Sequence, residues 1–159
     1  MKKVLFSLFA LVALFVVSSC SSSETMNKLN GTWETSTVED GMPVVMTWTF
    51  NSADETAKLR AVSSVDGMEV SVLEVNASFT ADEKTIIMNF DKGEPKFLVP
   101  EATVQAFGLS QADVNEIVNG MKEDAGDTYE GTSKTAIETL TDDELVINED
   151  GRIVFHKVK

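Results

Sequence analysis

The sequence predicts an all-β domain: an antiparallel meander closing into a barrel of eight to ten strands, with one helical insertion at about residues 100–123. Three observations carry this. Most segments after Leu29 alternate apolar and polar residues at period two. Asp-Gly recurs as Asp40-Gly41, Asp66-Gly67 and Asp150-Gly151, with Asp91-Lys92-Gly93 a near relative; this dipeptide supplies the positive φ angles of tight hairpins. Connections between successive strands are short, which favours a meander, and closing a meander removes its exposed edges.

The expected strands are 31–38, 43–50, 56–65, 68–79, 85–90, 95–99, 132–140, 145–149 and 152–158. Val44, Met46, Trp48 and Phe50 share one face of the second, against Val45, Thr47 and Thr49. Ile86, Met88 and Phe90 repeat the pattern, and Ala57, Leu59, Ala61, Ser63 and Val65 oppose Lys58, Arg60, Val62 and Ser64. In 68–79 the apolar phase changes from even (Met68, Val70, Val72) to odd (Leu73, Val75, Ala77, Phe79). A β-bulge near Val72 accounts for the change and suits a bent barrel strand.

Residues 100–123 break the pattern. Ser110 is a helix N-cap with Asp113 in the capping-box position, and Val114, Ile117, Val118 and Met121 form a stripe at helical spacing. Gly120 or Gly126 ends this helix. It either packs on the outside or end of the sheet or closes over the barrel mouth.

Before the domain lies an export signal. Lys2 and Lys3 precede an apolar run from Val4 to Val17, broken only by Ser7. As a helix the run spans roughly 21 Å, short of the roughly 30 Å of a bilayer core. Val17-Ser18-Ser19-Cys20 resembles the bacterial lipobox, whose cysteine thiol receives a diacylglycerol before cleavage on its N-terminal side. The organisation expected is a signal peptide at 1–19, a lipidated, flexible tether at 20–28 and a barrel domain at 29–159. Cys20 is the only cysteine, so no disulfide holds the domain and its core must suffice.

The whole chain carries a net charge of −13, and cleavage after Ser19 removes two lysines and makes it more negative. Such a surface repels nucleic acid and anionic membrane surfaces. Membrane attachment is therefore expected through acyl chains, each buried methylene contributing about 0.8 kcal/mol. Ser21 rather than Asp after Cys20 favours the outer membrane.

Gly31-Thr32-Trp33 resembles the G-x-W signature of lipocalins and their smaller fatty-acid-binding relatives. The stretch from Leu140 to Val158 is similar to the final hairpin of lipocalin-like lipoproteins of Gram-negative gut bacteria. The resemblance implies that Trp33 plugs the closed end of the barrel beside a basic residue of the last strand, for which Arg152 is the candidate. The helix before the last strands departs from the usual lipocalin layout, in which the helix follows the barrel.

Catalytic chemistry finds few residues to work with. His156 is the only histidine, so neither a nucleophilic triad nor a zinc site can be assembled in the usual ways; it shares a face with Val154 and Val158. The acidic groups Asp82/Glu83, Asp142/Asp143/Glu144 and Glu149/Asp150 fall in expected turns, and Asp124, Asp127 and Glu130 lack the spacing of an EF-hand loop. No catalytic residue, metal or cofactor is expected. An interior lined by Met46, Trp48, Phe50, Leu59, Met88 and Phe90 would hold a small apolar ligand, with the small Ala57, Ala61 and Ser63 leaving room. The alternative is a filled core, with the protein acting as an interaction module that binds protein or glycan through its loops.

Overall fold

The computed structural model describes residues 23–39, 41–90, 93–148 and 151–159. The signal segment, Cys20, the Asp40 and Asp91-Lys92 turn positions and the Glu149/Asp150 pair lie outside the described residues. Nine strands are present among those described: β1 (Gly31–Glu39), β2 (Met42–Asn51), β3 (Thr56–Val65), β4 (Met68–Ala81), β5 (Thr85–Asn89), β6 (Lys96–Leu98), β7 (Thr132–Leu140), β8 (Glu144–Asn148) and β9 (Arg152–Lys157). Three helices accompany them: α1 (23–29), α2 (Glu101–Phe107) and α3 (Gln111–Ala125).

Eight strands form a closed antiparallel ring in the order β1-β2-β3-β4-β5-β7-β8-β9, with β9 returning to β1. β6 stands outside the ring and pairs with Val72–Glu74 of β4. The β3–β4 hairpin turns through Asp66 (φ 50°) and Gly67 (φ 79°), as its Asp-Gly signal requires. The bulge in β4 falls at Val70, two residues before the expected site: Ser63 pairs with Ser71 and Ser64 with Glu69. From Leu73 to Ala81 the odd residues then face the core.

Cross-strand register sorts the interior into layers. One layer matches Phe50 with Ala57 and Ala57 with Ala77; the next, Trp33 with Trp48, Leu59 and Val75; the next, Thr35 with Met46, Ala61 and Leu73; the last, Thr37 with Val44, Ser63 and Ser71. Large residues thus sit beside small ones in the first layer, where Phe50 and Phe79 stack at 4.8 Å over the alanines. Trp48 packs on Phe155 at 4.7 Å. Side-chain volume falls toward the last layer, so the barrel is filled at one end and open at the other.

α1 covers the filled end. Residues 23–28, expected as part of a flexible tether, are helical because Thr25 and Leu29 are buried against the barrel and Glu24 pairs with Lys28 at 2.9 Å. The insertion holds two helices rather than one. α2 is anchored by the Thr103 hydroxyl, which donates to the Glu69 carbonyl beside the β4 bulge, and it ends at Gly108 in the left-handed conformation. α3 starts at the expected capping box: the Ser110 hydroxyl accepts from the Asp113 amide, and the Asp113 carboxylate accepts from the Ser110 amide at 2.7 Å. It runs through Gly120 and ends at Gly126. No helix among the described residues is long and apolar enough to cross a membrane.

Candidate functional site: a tapered barrel and its mouth

The closed end is built around Trp33, which is fully buried. Its indole Nε1 donates to the Leu29 carbonyl at 2.7 Å. The Lys157 Nζ donates to the Lys28 carbonyl at 2.9 Å and lies 4.9 Å from the Trp33 ring centroid. Both acceptors are last-turn carbonyls of α1, which have no partner within the helix and carry the negative end of its dipole. An indole donor and an ammonium therefore meet the helix end where it needs them. Gly31 completes the arrangement: its φ is 117°, and a Cβ there would stand 3.0 Å from the Lys157 Cε. The basic residue of the last strand beside Trp33 is thus Lys157, not Arg152. Arg152 begins β9 at the opposite end of the strand and pairs with Glu138 across an exposed surface.

The six residues expected to line a ligand cavity all point inward, but four of them are packed core. Trp48, Phe50, Met88 and Phe90 belong to one buried cluster, and Met46 and Leu59 are half-buried against it. The void bordered by Met46, Trp48 and Leu59 measures about 30 Å³, the share of liquid volume of a single water molecule. Ala57 leaves no space because Phe50 and Phe79 occupy it.

Space opens one layer higher. A cleft of about 410 Å³ at the mouth is bordered by Met42, Val44, Ala61, Ser63, Leu73 and Phe97 of the barrel and β6. Met121, Asp124 and Ala125 of α3 and Tyr129 of the following loop close its other side. The expected stripe of α3 faces this way only loosely: none of its residues is buried, Val114, Val118 and Met121 are half-buried, and Ile117 is exposed. α3 is therefore a loose cover at one side of the mouth, which it reaches through its last turn while lying against β6. Tyr129 borders both the cleft and the small inner void and meets Phe90 edge-on at 5.7 Å. It separates the mouth from the filled barrel.

Tyr129 and Phe97 are mouth residues that the sequence pattern did not single out, whereas it marked Leu73 and Met121 only as members of a strand face and a helix stripe. Tyr129 carried a usable signal, being the one tyrosine of the chain, set in an otherwise acidic loop. That loop gathers no metal site: among the described residues no group of three or more His, Cys, Asp or Glu side chains could hold an ion. His156 lies exposed on the outer face. Asp82, Glu83, Asp142 and Asp143 are exposed in turns at the closed end, away from the mouth.

No family model matches the chain, and no curated protein matches it. Among solved structures it is similar to a lipocalin-like protein from Bacteroides uniformis, at 15% identity over 82% of this chain and 99% of that one, with a TM-score of 0.43. It is also similar to an uncharacterised protein from Bacteroides eggerthii, at 19% identity, the same coverages and a TM-score of 0.42.

Proposed function

We propose that this chain is a lipid-anchored, lipocalin-like envelope protein, non-enzymatic, that binds a small apolar molecule at the mouth of its barrel instead of deep inside it. The observation that carries the reading is the 410 Å³ cleft between the last interior layer and the under-packed face of α3. Its volume lies in the range of small-molecule sites, which are mostly apolar with a few polar groups. Here Met42, Val44, Leu73, Phe97 and Met121 supply the apolar wall, and Ser63, Ser71, Thr128 and Tyr129 polar groups, with the carboxylates of Glu39 and Asp124 also bordering the cleft. A ligand seated there would bury apolar surface on α3 that the protein alone leaves half in water, worth about 25 cal/mol per Å².

The lipobox at Cys20 supports the anchor, and the absence of Asp after it supports the outer membrane. The described part of α1 begins at Ser23, three positions after Cys20, and sits on the closed end. An anchor there would hold the closed end at the membrane and direct the mouth away from it. Cys20→Ala should release the protein from the membrane fraction; wild-type protein with an unmodified cysteine in the aqueous phase of a detergent partition would refute the anchor.

Titration with the neutral dye Nile red tests the binding site. Dye emission should shift to the blue on binding, and Ser63→Phe, which fills the last layer, should abolish the shift while leaving the melting temperature within a few degrees of wild type. Trp48, beside the inner void, should respond to the dye and Trp33 should not. Equal binding by Ser63→Phe would remove the mouth as the site. A second reading, an interaction module, draws on one observation: Val38, Met42, Val65, Met68, Leu98 and Phe107 expose large apolar side chains at the tips and insertion of the open end. If Nile red does not bind, that rim becomes the better candidate.

A further inference from the structure

The ring closes through a short seam. β1 and β9 pair only at Trp33 with Lys157 and Glu34 with His156, and the Val158 amide donates to the Thr32 carbonyl at 2.8 Å. Beyond Glu34 the two strands part, although β1 continues to Glu39 on β2 and β9 back to Arg152 on β8. Between them lies a cleft of about 810 Å³, the largest of those described, bordered by Thr35, Thr37 and Glu39 on one wall and by Arg152, Ile153 and Val154 on the other.

Strand parity says what these walls offer. The Lys157 amide donates to Asp143, next to β8, so odd residues of β9 direct their backbone groups toward β8. Even residues direct theirs toward β1, as the Val158–Thr32 bond shows. In an antiparallel ladder the same alternation runs on along both strands. The amides and carbonyls of Ser36 and Val38 on one wall, and of Val154 and Arg152 on the other, therefore face the cleft beyond the last strand pair. Two facing rows of backbone donors and acceptors, repeating every second residue, are the complement of a polypeptide backbone. A purely apolar ligand would leave them unsatisfied.

We propose that the β1–β9 seam takes an extended peptide from another protein as an added strand of the barrel wall. The parting of β1, from Thr35 to Glu39, is about 17 Å long, room for about five residues of strand. Alternate side chains of the guest turn inward, toward Thr35, Thr37, Met46 and Ile153, where small β-branched residues fit. The others turn outward, between Ser36 of β1 and Val154 of β9. The guest runs antiparallel to one wall and parallel to the other. The site shares Glu39 with the mouth cleft but does not depend on the ligand proposed there.

Amide hydrogen exchange on the full chain in mild detergent tests this. The probe is a capped peptide of alternating threonine and valine with a lysine at each end. In the free protein the amides of Ser36, Val38, Arg152 and Val154 should exchange fast. The peptide should slow all four at least about tenfold, the sign of new hydrogen bonds. The same peptide N-methylated at alternate residues should not bind. Ser36→Pro removes an amide that faces the cleft and no β1–β2 bond; it should keep its melting temperature and lose the peptide. Slow exchange at these amides in the free protein, equal binding of the N-methylated peptide, no binding of either, or protection that follows dimerisation would each overturn the proposal.

Discussion

The two ends of this barrel are made from the same strands and differ in nearly everything else. At the closed end every large side chain has a partner: Trp33 has its indole bond to Leu29, Lys157 caps α1, and Phe50 and Phe79 fill the space above Ala57 and Ala77. At the open end Thr37, Ser63 and Ser71 are small and polar, Val38 and Met42 stand exposed, and a 15-residue helix without one buried residue borders the mouth through its last turn. The difference teaches where each property resides. The packing that stabilises the fold is concentrated at the end that has no room for a ligand, and the end with open space contributes least to the core.

Substitutions break the comparison most sharply at Trp33. Trp33→Ala removes a fully buried ring, its hydrogen bond and its contact with Lys157, and should cost about 3–5 kcal/mol in urea unfolding. A loss below about 1 kcal/mol would mean that the closed end is not the stable one. Lys157→Met keeps the packing of the stem but removes the ammonium from the α1 carbonyl and the Trp33 ring; about 1–2 kcal/mol should go. Arg152→Ala, the control at the other end of β9, should change stability by less than about 1 kcal/mol, as for any exposed ion pair. Equal effects at Lys157 and Arg152 would restore Arg152 as an equal partner.

The smallest effect concerns the cover. The Ser110 hydroxyl, then the Ser110 amide, hold the Asp113 carboxyl below its ordinary value of 3.8. A depressed carboxyl stabilises the fold above its unfolded value and loses that contribution as pH falls through the folded one. The first turn of α3 should therefore loosen as pH drops below about 3.8, while the closed end stays intact. Amide exchange across 110–116 against that in β2 measures it, and an unchanged α3 in acid would show that the capping box does not hold the cover.

Much of the wall was legible because period-two alternation and Asp-Gly turns are local signals. All nine expected strands are present, with β3 and β7 matching their expected limits and the others differing by one or two residues at an end. Trp33 is buried at the closed end as the G-x-W resemblance implies. What escaped depends on register, which is not local. Met46, Trp48 and Phe50 alternate identically in sequence, yet only the pairing of Phe50 with Ala57, and of Val44 with Ser63, says which layer is filled and which is open. The same limit hid Lys157, since Arg152 and Lys157 both lie on the last strand and only the return of β9 to β1 sets one beside Trp33. Residues 23–28 looked like a tether because they are short and polar; Thr25 and Leu29 acquire their burial only from a barrel that lies later in the chain.

The bond from Lys157 to the Lys28 carbonyl joins residues 129 positions apart, and this bears on the order in which the molecule assembles. Most other ring pairings join strands adjacent in sequence, so their loops are short and their closure entropy small. The cost of bringing distant segments together rises with the logarithm of the intervening length, and non-local pairings slow folding. Hairpins should therefore form early and the β9–β1 junction, with α1 locking over it, should come last, even though it is the best-packed part of the finished barrel. A contact made after the folding barrier affects unfolding alone. Lys157→Met should accordingly speed unfolding in stopped-flow experiments and leave the refolding rate nearly unchanged; a slowed refolding limb would place the junction inside the folding nucleus.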